Sequence, residues 1–175
     1  MFCIEQKKQA LLDEIYTRRS VRQYTDRPVK RDLLVEIINA GTWAPSGLNN
    51  QPWRFVIIQE GEVRLALAKL TQSQKTIESA SACIAVFIDK EAMYHEMKDF
   101  LAMGACIQNM ILAAHVLGLG AVWLGEILKN TDKVNSLLEL PETLLLTAVV
   151  AVGYPFGQKR TSSRRDVSEI LLKEY

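Results

Sequence analysis

The stretch from Phe100 to Leu119 limits the possible folds more than any other part of this chain, because it is apolar on every side. A helix of that kind has to be surrounded by protein or by lipid. Gln108 and Asn109 sit at its middle, His115 lies near its end, and Gly118 and Gly120 break it. A membrane span would have to hide an adjacent amide pair at the bilayer centre, where polar groups are costly. A helix that crosses the core and also faces a second copy of the chain meets the constraint without that penalty. We therefore read a buried core helix in a homodimer, and no membrane partner.

The remaining pattern is helix-rich with interspersed strands. Ala10, Leu11, Leu12 and Ile15 predict a helix running to about Arg18, and Leu33, Leu34, Ile37 and Ile38 predict a second, amphipathic one. A loop rich in Pro, Gly and Asn spans Ala44 to Pro52. Strands are expected over Phe55–Ile58, Cys83–Ile88 and Leu144–Val152, with a helix over Val63–Leu70. No repeat or Gly/Ser linker divides the 175 residues, so residues 1–175 read as a single domain. A chain of that mass can bury about 70% of its unfolded surface, enough for one full core.

The net charge of +1 gives no global field to collect nucleic acid or anionic membrane, so any anion site must be local. Cys3, Cys83 and Cys106 are widely spaced and form no C-x-x-C pair, which suits a reducing compartment; the cytoplasm is expected. The N-terminus turns charged at Glu5, Lys7 and Lys8 and reads as the start of a helix rather than a signal peptide. There is no G-x-G-x-x-G, Walker A or G-x-S-x-G motif, and His95 and His115 lie twenty residues apart. Nucleophilic and metal-dependent hydrolysis are poorly supported, and no metal is expected.

Four constellations could carry chemistry. Arg18-Arg19-Ser20-Val21-Arg22 gathers three guanidiniums and a hydroxyl into five residues, a candidate phosphate clamp. In an extended segment Arg18, Ser20 and Arg22 share one side, with Arg19 and Val21 on the other. A solvated basic patch at a helix C-terminus accounts for the same residues. Ala44-Pro45-Ser46-Gly47-Leu48-Asn49-Asn50-Gln51-Pro52-Trp53 is a stiffened loop of hydroxyl and amide groups, fit to present polar contacts to a flat, heteroatom-rich ring or simply to enter a strand. Gly118 to Glu126 offers backbone N–H groups near Gly125, while Gly118 and Gly120 also read as a helix cap and a core strand. Past Gly153-Tyr154-Pro155, the tail places Lys159, Arg160, Arg164 and Arg165 within seven residues, either a second arm of a clamp or a solvated run.

In this order the four constellations resemble the nitroreductase family of flavoproteins. The resemblance rests on R-R-S-x-R after the first helix, P-S-x-x-N-x-Q-P-W before the first strand, G-L-G-x-x-W-x-G after the apolar helix, and an arginine near the C-terminus. It covers essentially the whole chain. It implies an α+β fold with a mostly antiparallel central sheet flanked by helices, in an intertwined homodimer with two FMN sites at the interface. By similarity, Arg18, Ser20 and Arg22, within the clamp that includes Arg19, would hold the FMN phosphate, ribityl chain and pyrimidine edge. Arg164 or Arg165 would complete the phosphate grip. Pro45, Ser46 and Gly47 would reach the isoalloxazine from the other subunit, with Asn49 supporting that loop. Leu124, Gly125 and Glu126 would lie along the N5 and O4 side, chiefly through backbone N–H.

A flavin needs no catalytic triad, since it carries the redox chemistry and the protein supplies position and electrostatics. Arg22 would oppose negative charge near N1 and O2. The implied activity is ping-pong transfer of hydride from NADH or NADPH, through FMN, to an electron-poor acceptor such as a nitroaromatic or quinone. Two features depart from the family pattern: the short stretch between Asp89 and Phe100, where many relatives carry a helical excursion over the flavin, and the order Gly125-Glu126. An oxidase, a dehalogenase or a flavin-fragmenting enzyme would share fold and cofactor. A noncatalytic anion-binding module is the reading from a different class.

Overall fold

Every residue from Ala82 to Ile88 is buried. A strand turns successive side chains to opposite faces, so this apolar run needs cover on both. Ala82, Ile84, Val86 and Ile88 enter one core cluster, and Cys83, Ala85 and Phe87 enter another. A central sheet between two helical layers follows.

The computed structural model describes residues 2–157 and 161–175, with side chains from Gln9 onward. The readings that fall on Met1, on the side chains of Cys3 to Lys8 and on Gln158, Lys159 and Arg160 lie outside the described residues. The helices are α1 (Phe2–Thr17), α2 (Arg31–Thr42), α3 (Gly61–Ala68), α4 (Gln74–Ser79), α5 (Glu96–Val116), α6 (Thr131–Leu137) and α7 (Val167–Ile170). The strands are β1 (Trp53–Ile58), β2 (Ala82–Asp89), β3 (Gly120–Leu124) and β4 (Leu144–Gly153). They form one sheet in the order β1-β2-β4-β3, antiparallel at every pairing. The expected α+β class with an antiparallel centre is what the chain adopts.

A bulge between β2 and β4 shows how the core is registered. Val86 pairs with Ala148 and Phe87 with Leu146, leaving Thr147 as the extra residue. Its hydroxyl donates to the Val86 carbonyl at 2.9 Å. The extra residue resets the alternation, so that Leu146 joins Val149 and Ala151 on one face while Ala148, Val150 and Val152 serve the other.

The apolar helix begins at Glu96, four residues before the expected Phe100. The connection from β2 is correspondingly shorter than the ten residues expected, a turn at Lys90–Ala92 and little else. By length and composition α5 could cross a membrane. In the fold, Ala102, Met103, Cys106, Ile107, Met110, Ile111 and Ala114 form a buried stripe at helical spacing, packed with α2 against the sheet. Its other face is bare in a single chain: Met97 and Leu101 are each 69% exposed and Val116 64%. The short helices α4 and α6 carry no periodic signal of their own and were not expected. α3 starts two residues ahead of its predicted Val63.

Candidate functional site

α1 ends at Thr17, and its last carbonyls would be orphaned without a donor. Arg19 supplies one: its Nη1 donates to Tyr16 O at 2.5 Å and to Arg18 O at 2.9 Å. Ser20 then bridges Ala121 on the β3 edge, and Val21 N donates to Ala121 O at 3.1 Å. From there the chain crosses the ends of β3 and β4. Val21 lies over Gly120, where an added Cβ would come within 2.7 Å of its side chain, so glycine is what permits the approach. Tyr24 anchors the far side, its hydroxyl donating to Val21 O at 2.6 Å and lying 3.1 Å from Ala151 O.

This crossing corrects one expectation. Two-residue alternation holds only from Ser20 on, so Val21 turns into the core as expected while Arg19, tied to the end of α1, does not join it. Arg19, Ser20 and Arg22 instead share the wall of a cavity of about 140 Å³ with Thr17, Ile111 and His115, closed by the turn at Pro155–Gly157. Arg18 is not in that wall. It is part-buried beside Arg19, and burial first, then the charges of Arg164 and Arg19, lower its pKa. The tail therefore returns close enough to the end of α1 for the Arg164 charge to act on Arg18. Arg165 is exposed, and no hydrogen bond or ion pair engages it among the described residues. Arg18, Arg19, Arg22 and Arg164 likewise have no carboxylate partner among the described residues, and Arg19 Nε is buried with no hydrogen bond there. Across the cavity His115 Nε2 lies 3.3 Å from Glu14 Oε2 and 3.1 Å from Thr17 Oγ1.

A second group sits at the other end of α5. The loop 45–51 holds three non-glycine residues in the left-handed region, Leu48 (φ 54°), Asn49 (φ 56°) and Gln51 (φ 46°). Each such residue costs on the order of 1–2 kcal/mol outside glycine, and asparagine less. The shape is braced from inside by Gln51 N donating to Ser46 Oγ at 3.1 Å. It is braced from outside by Asn50, whose Nδ2 donates to Asp99 Oδ1 at 2.7 Å and to Ala92 O at 3.0 Å. Asn49, expected to support the loop, is exposed with φ 56°, and its side chain makes no hydrogen bond among the described residues; the bonds from the loop to Asp99 and Ala92 come from its neighbour Asn50. Pro45 is exposed as well, and Gly47 lies under the Tyr94 ring so closely that any Cβ would overlap it.

Asp99 has no accessible surface. Its Oδ2 accepts from Tyr94 N at 2.9 Å and His95 N at 2.8 Å, which satisfies two donors ahead of α5. Burial alone would raise its pKa. Hydrogen bonds from His95 N–H, the Asn50 amide and Tyr94 N–H outweigh that and hold it below the usual carboxylate range.

Between the two groups lies the end of β3, where Trp123 packs beside Gly104 at the middle of α5. Leu124 is buried and Gly125 exposed. The N–H groups of Gly125 and Glu126 have no acceptor among the described residues. The Glu126 carboxylate points elsewhere: its Oε2 accepts from Thr71 Oγ1 at 2.7 Å and Gln72 N at 2.8 Å, and Oε1 pairs with Lys129. Lys129, then Thr71, then the Gln72 N–H pull its pKa down to about 2. Cys83 and Cys106 are buried and free, with thiols pushed up to about 12, so neither supplies a nucleophile at neutral pH.

Asn50, Tyr94 and Asp99 were not singled out as contributors from the sequence. Asn50 is one of three amides in the loop, and nothing in the order of residues announces that it touches Asp99.

A three-layer α+β fold in which Arg19 and Arg22, without a carboxylate partner among the described residues, line a cavity beside Ala121 and Pro155 defines a protein built to take an anionic ligand beside an apolar core. Two overlapping segments, residues 15–99 and 72–154, match the nitroreductase family. A Thermus thermophilus NADH dehydrogenase is 31% identical, over 89% of this chain and 91% of its own. A Desulfovibrio desulfuricans protein, described as a nitroreductase and solved in complex with FMN, superposes with a TM-score of 0.89 at 46% identity, covering 94% of this chain and 96% of that one. The NADPH:FMN oxidoreductase of Vibrio harveyi, solved with NAD+, superposes at 0.84 and 25% identity, covering 94% of this chain and 76% of that one. The chain belongs to the nitroreductase family.

Proposed function

We propose that this protein is an FMN-dependent NAD(P)H oxidoreductase, acting as a homodimer with one flavin at each end of the subunit interface. The observation that carries the reading is the cationic group at the end of α1: Arg19 and Arg22 share a cavity wall with Ser20, Arg18 lies beside Arg19 within range of the Arg164 charge, and none of the four has a carboxylate partner among the described residues. Like charges held together lower one another's stability, and a phosphate relieves the repulsion through charge-assisted hydrogen bonds. The buried, unpartnered Arg19 Nε fits the same group.

In this reading Arg18, Ser20 and Arg164 hold the phosphate, and Arg22 lies toward the pyrimidine edge, where a fixed positive charge favours the reduced, anionic form. Gly125 and Glu126 donate backbone N–H toward the ring's polar edge. Pro45, Ser46 and Gly47 close over the ring from the partner subunit. When bound, FMN supplies hydride transfer from NADH or NADPH to an electron-poor acceptor, a nitroaromatic or quinone, in ping-pong order. The protein's part is to bind, orient and shield, and no side-chain acid or base is required.

Two facts support the dimer. The cavity beside Arg19 and Arg22 is about 140 Å³, well below the roughly 300–1,000 Å³ of a cofactor site, so one chain offers part of a wall. The guanidinium group and loop 45–51 sit at His115 and Asp99 respectively, 16 residues apart on α5 by number, or roughly 24 Å along a helix. One flavin does not bridge both within one chain, whereas the bare face of α5 can bring a second copy's loop to the first copy's arginines. The free, buried thiols at Cys83 and Cys106 favour a cytoplasmic setting.

The test is the spectrum and mass of freshly purified protein, followed by anaerobic NADH or NADPH. Yellow protein of dimeric mass whose flavin band bleaches on addition of nicotinamide is expected. Bleaching by dithionite alone would move the assignment to another flavin activity, and colourless monomer that ignores added FMN would end it.

A further inference from the structure

We propose that Asp99 is a positioning residue: through Asn50 its buried carboxylate holds loop 45–51 in its strained shape, and so sets how Pro45, Ser46 and Gly47 meet the flavin. The inference rests on the functional reading above for its last step and on geometry for the rest.

Three left-handed, non-glycine residues within four positions do not persist unless the surroundings over-determine them. The internal brace from Gln51 N to Ser46 Oγ fixes one turn of the loop. Two side chains connect the loop to the rest of the fold: Arg54 Nη1 donates to Gln51 O at 3.3 Å, at the loop's end, and the Asn50 amide, within it, spends both its protons, on Asp99 Oδ1 and on Ala92 O. Asp99 in turn accepts the N–H groups of Tyr94 and His95, and Tyr94 carries the ring seated on Gly47. One carboxylate thus fixes the loop from below and its aromatic cover from the side. A helix start needs no such arrangement, since a cap residue accepting one N–H would serve. A charge fully removed from water is maintained here by three donors, one of which belongs to the loop.

The connection from β2 to α5 is short, a turn at Lys90–Ala92 followed by Met93, Tyr94 and His95.

Two substitutions cut the tether from opposite ends. In Asp99→Asn the amide oxygen still accepts from Tyr94 and His95 N–H, but the amide nitrogen faces the Asn50 amide, donor against donor. Asn50→Ala removes the loop's half and leaves Asp99 on its helix contacts. Amide exchange of residues 46–51, followed in protein stripped of flavin, should quicken at least tenfold in each single variant and no further in the double. In FMN-saturated protein, anaerobic flavin reduction by NADH or NADPH should slow about tenfold in each, again without multiplying in the double, while the FMN dissociation constant moves less than threefold. If Asp99→Asn does not fold, Asn50→Ala alone carries both measurements.

Exchange at the wild-type rate in Asn50→Ala, or effects that multiply in the double variant, would overturn the tether. Faster exchange with an unchanged rate of flavin reduction would overturn the positioning role. Wild-type protein that takes up no FMN would sink the functional reading, and the exchange measurement would still decide whether Asp99 holds the loop.

Discussion

Arg164, from the last segment of the chain, lies close enough to Arg18, at the end of α1, for its charge to lower the Arg18 pKa. Residues almost 150 positions apart are brought within range of each other's charge, and neither has a carboxylate partner among the described residues.

Removing either guanidinium should weaken FMN binding. A charge-assisted hydrogen bond is worth about 1.5–3 kcal/mol, so Arg18→Ala and Arg164→Ala should each raise the FMN dissociation constant roughly tenfold to a hundredfold. Fluorescence titration of the stripped protein measures this. Arg165→Ala should change it little, and the reverse ranking would reassign the tail.

Gly120→Ala places a methyl within 2.7 Å of the Val21 Cβ, a branch point that cannot swing aside without moving its backbone. Overpacking of this kind costs about 1–3 kcal/mol, read as a lower denaturation midpoint. Because Val21 sits between Ser20 and Arg22, FMN affinity should fall with stability. Gly120→Ala combined with Val21→Ala should recover much of the stability.

Stability should decline in acid partly through Glu126. Its folded pKa, about 2, lies below the ordinary 4.5, so its contribution is complete above about 4.5 and fades as the pH falls toward 2. Thr71→Val removes one of the hydrogen bonds that hold the carboxylate ionised. The acid-unfolding curve of that variant should therefore be shallower between those limits, by comparison of denaturation midpoints at each pH.

Leu101→Lys puts a charge on the exposed face of α5 without touching its buried stripe. Single chains should stay folded, since exposed substitutions away from packed features usually cost within about 0.5 kcal/mol. Sedimentation should show monomer, and the protein should lose its flavin. A dimer that keeps both would place the interface elsewhere.

Much of this was legible in the residues themselves. The apolar runs at Cys83–Ile88 and Leu144–Val152 required strands covered on both faces, and the stretch from Phe100 required a helix through the core. Those patterns are local, set by the two-residue and 3.6-residue periods of the backbone. Composition could name the guanidiniums, the amide loop and the Gly125 turn as chemically apt, because a side chain's donors are fixed by its type. What order along the chain does not carry is which distant groups meet. That the Arg164 charge is felt at Arg18, that Arg19 folds back onto α1, and that Asn50 rather than Asn49 ties its loop to Asp99 are outcomes of packing. They depend on where the sheet ends, where a bulge resets the faces, and which buried polar atom must find a partner once water is excluded.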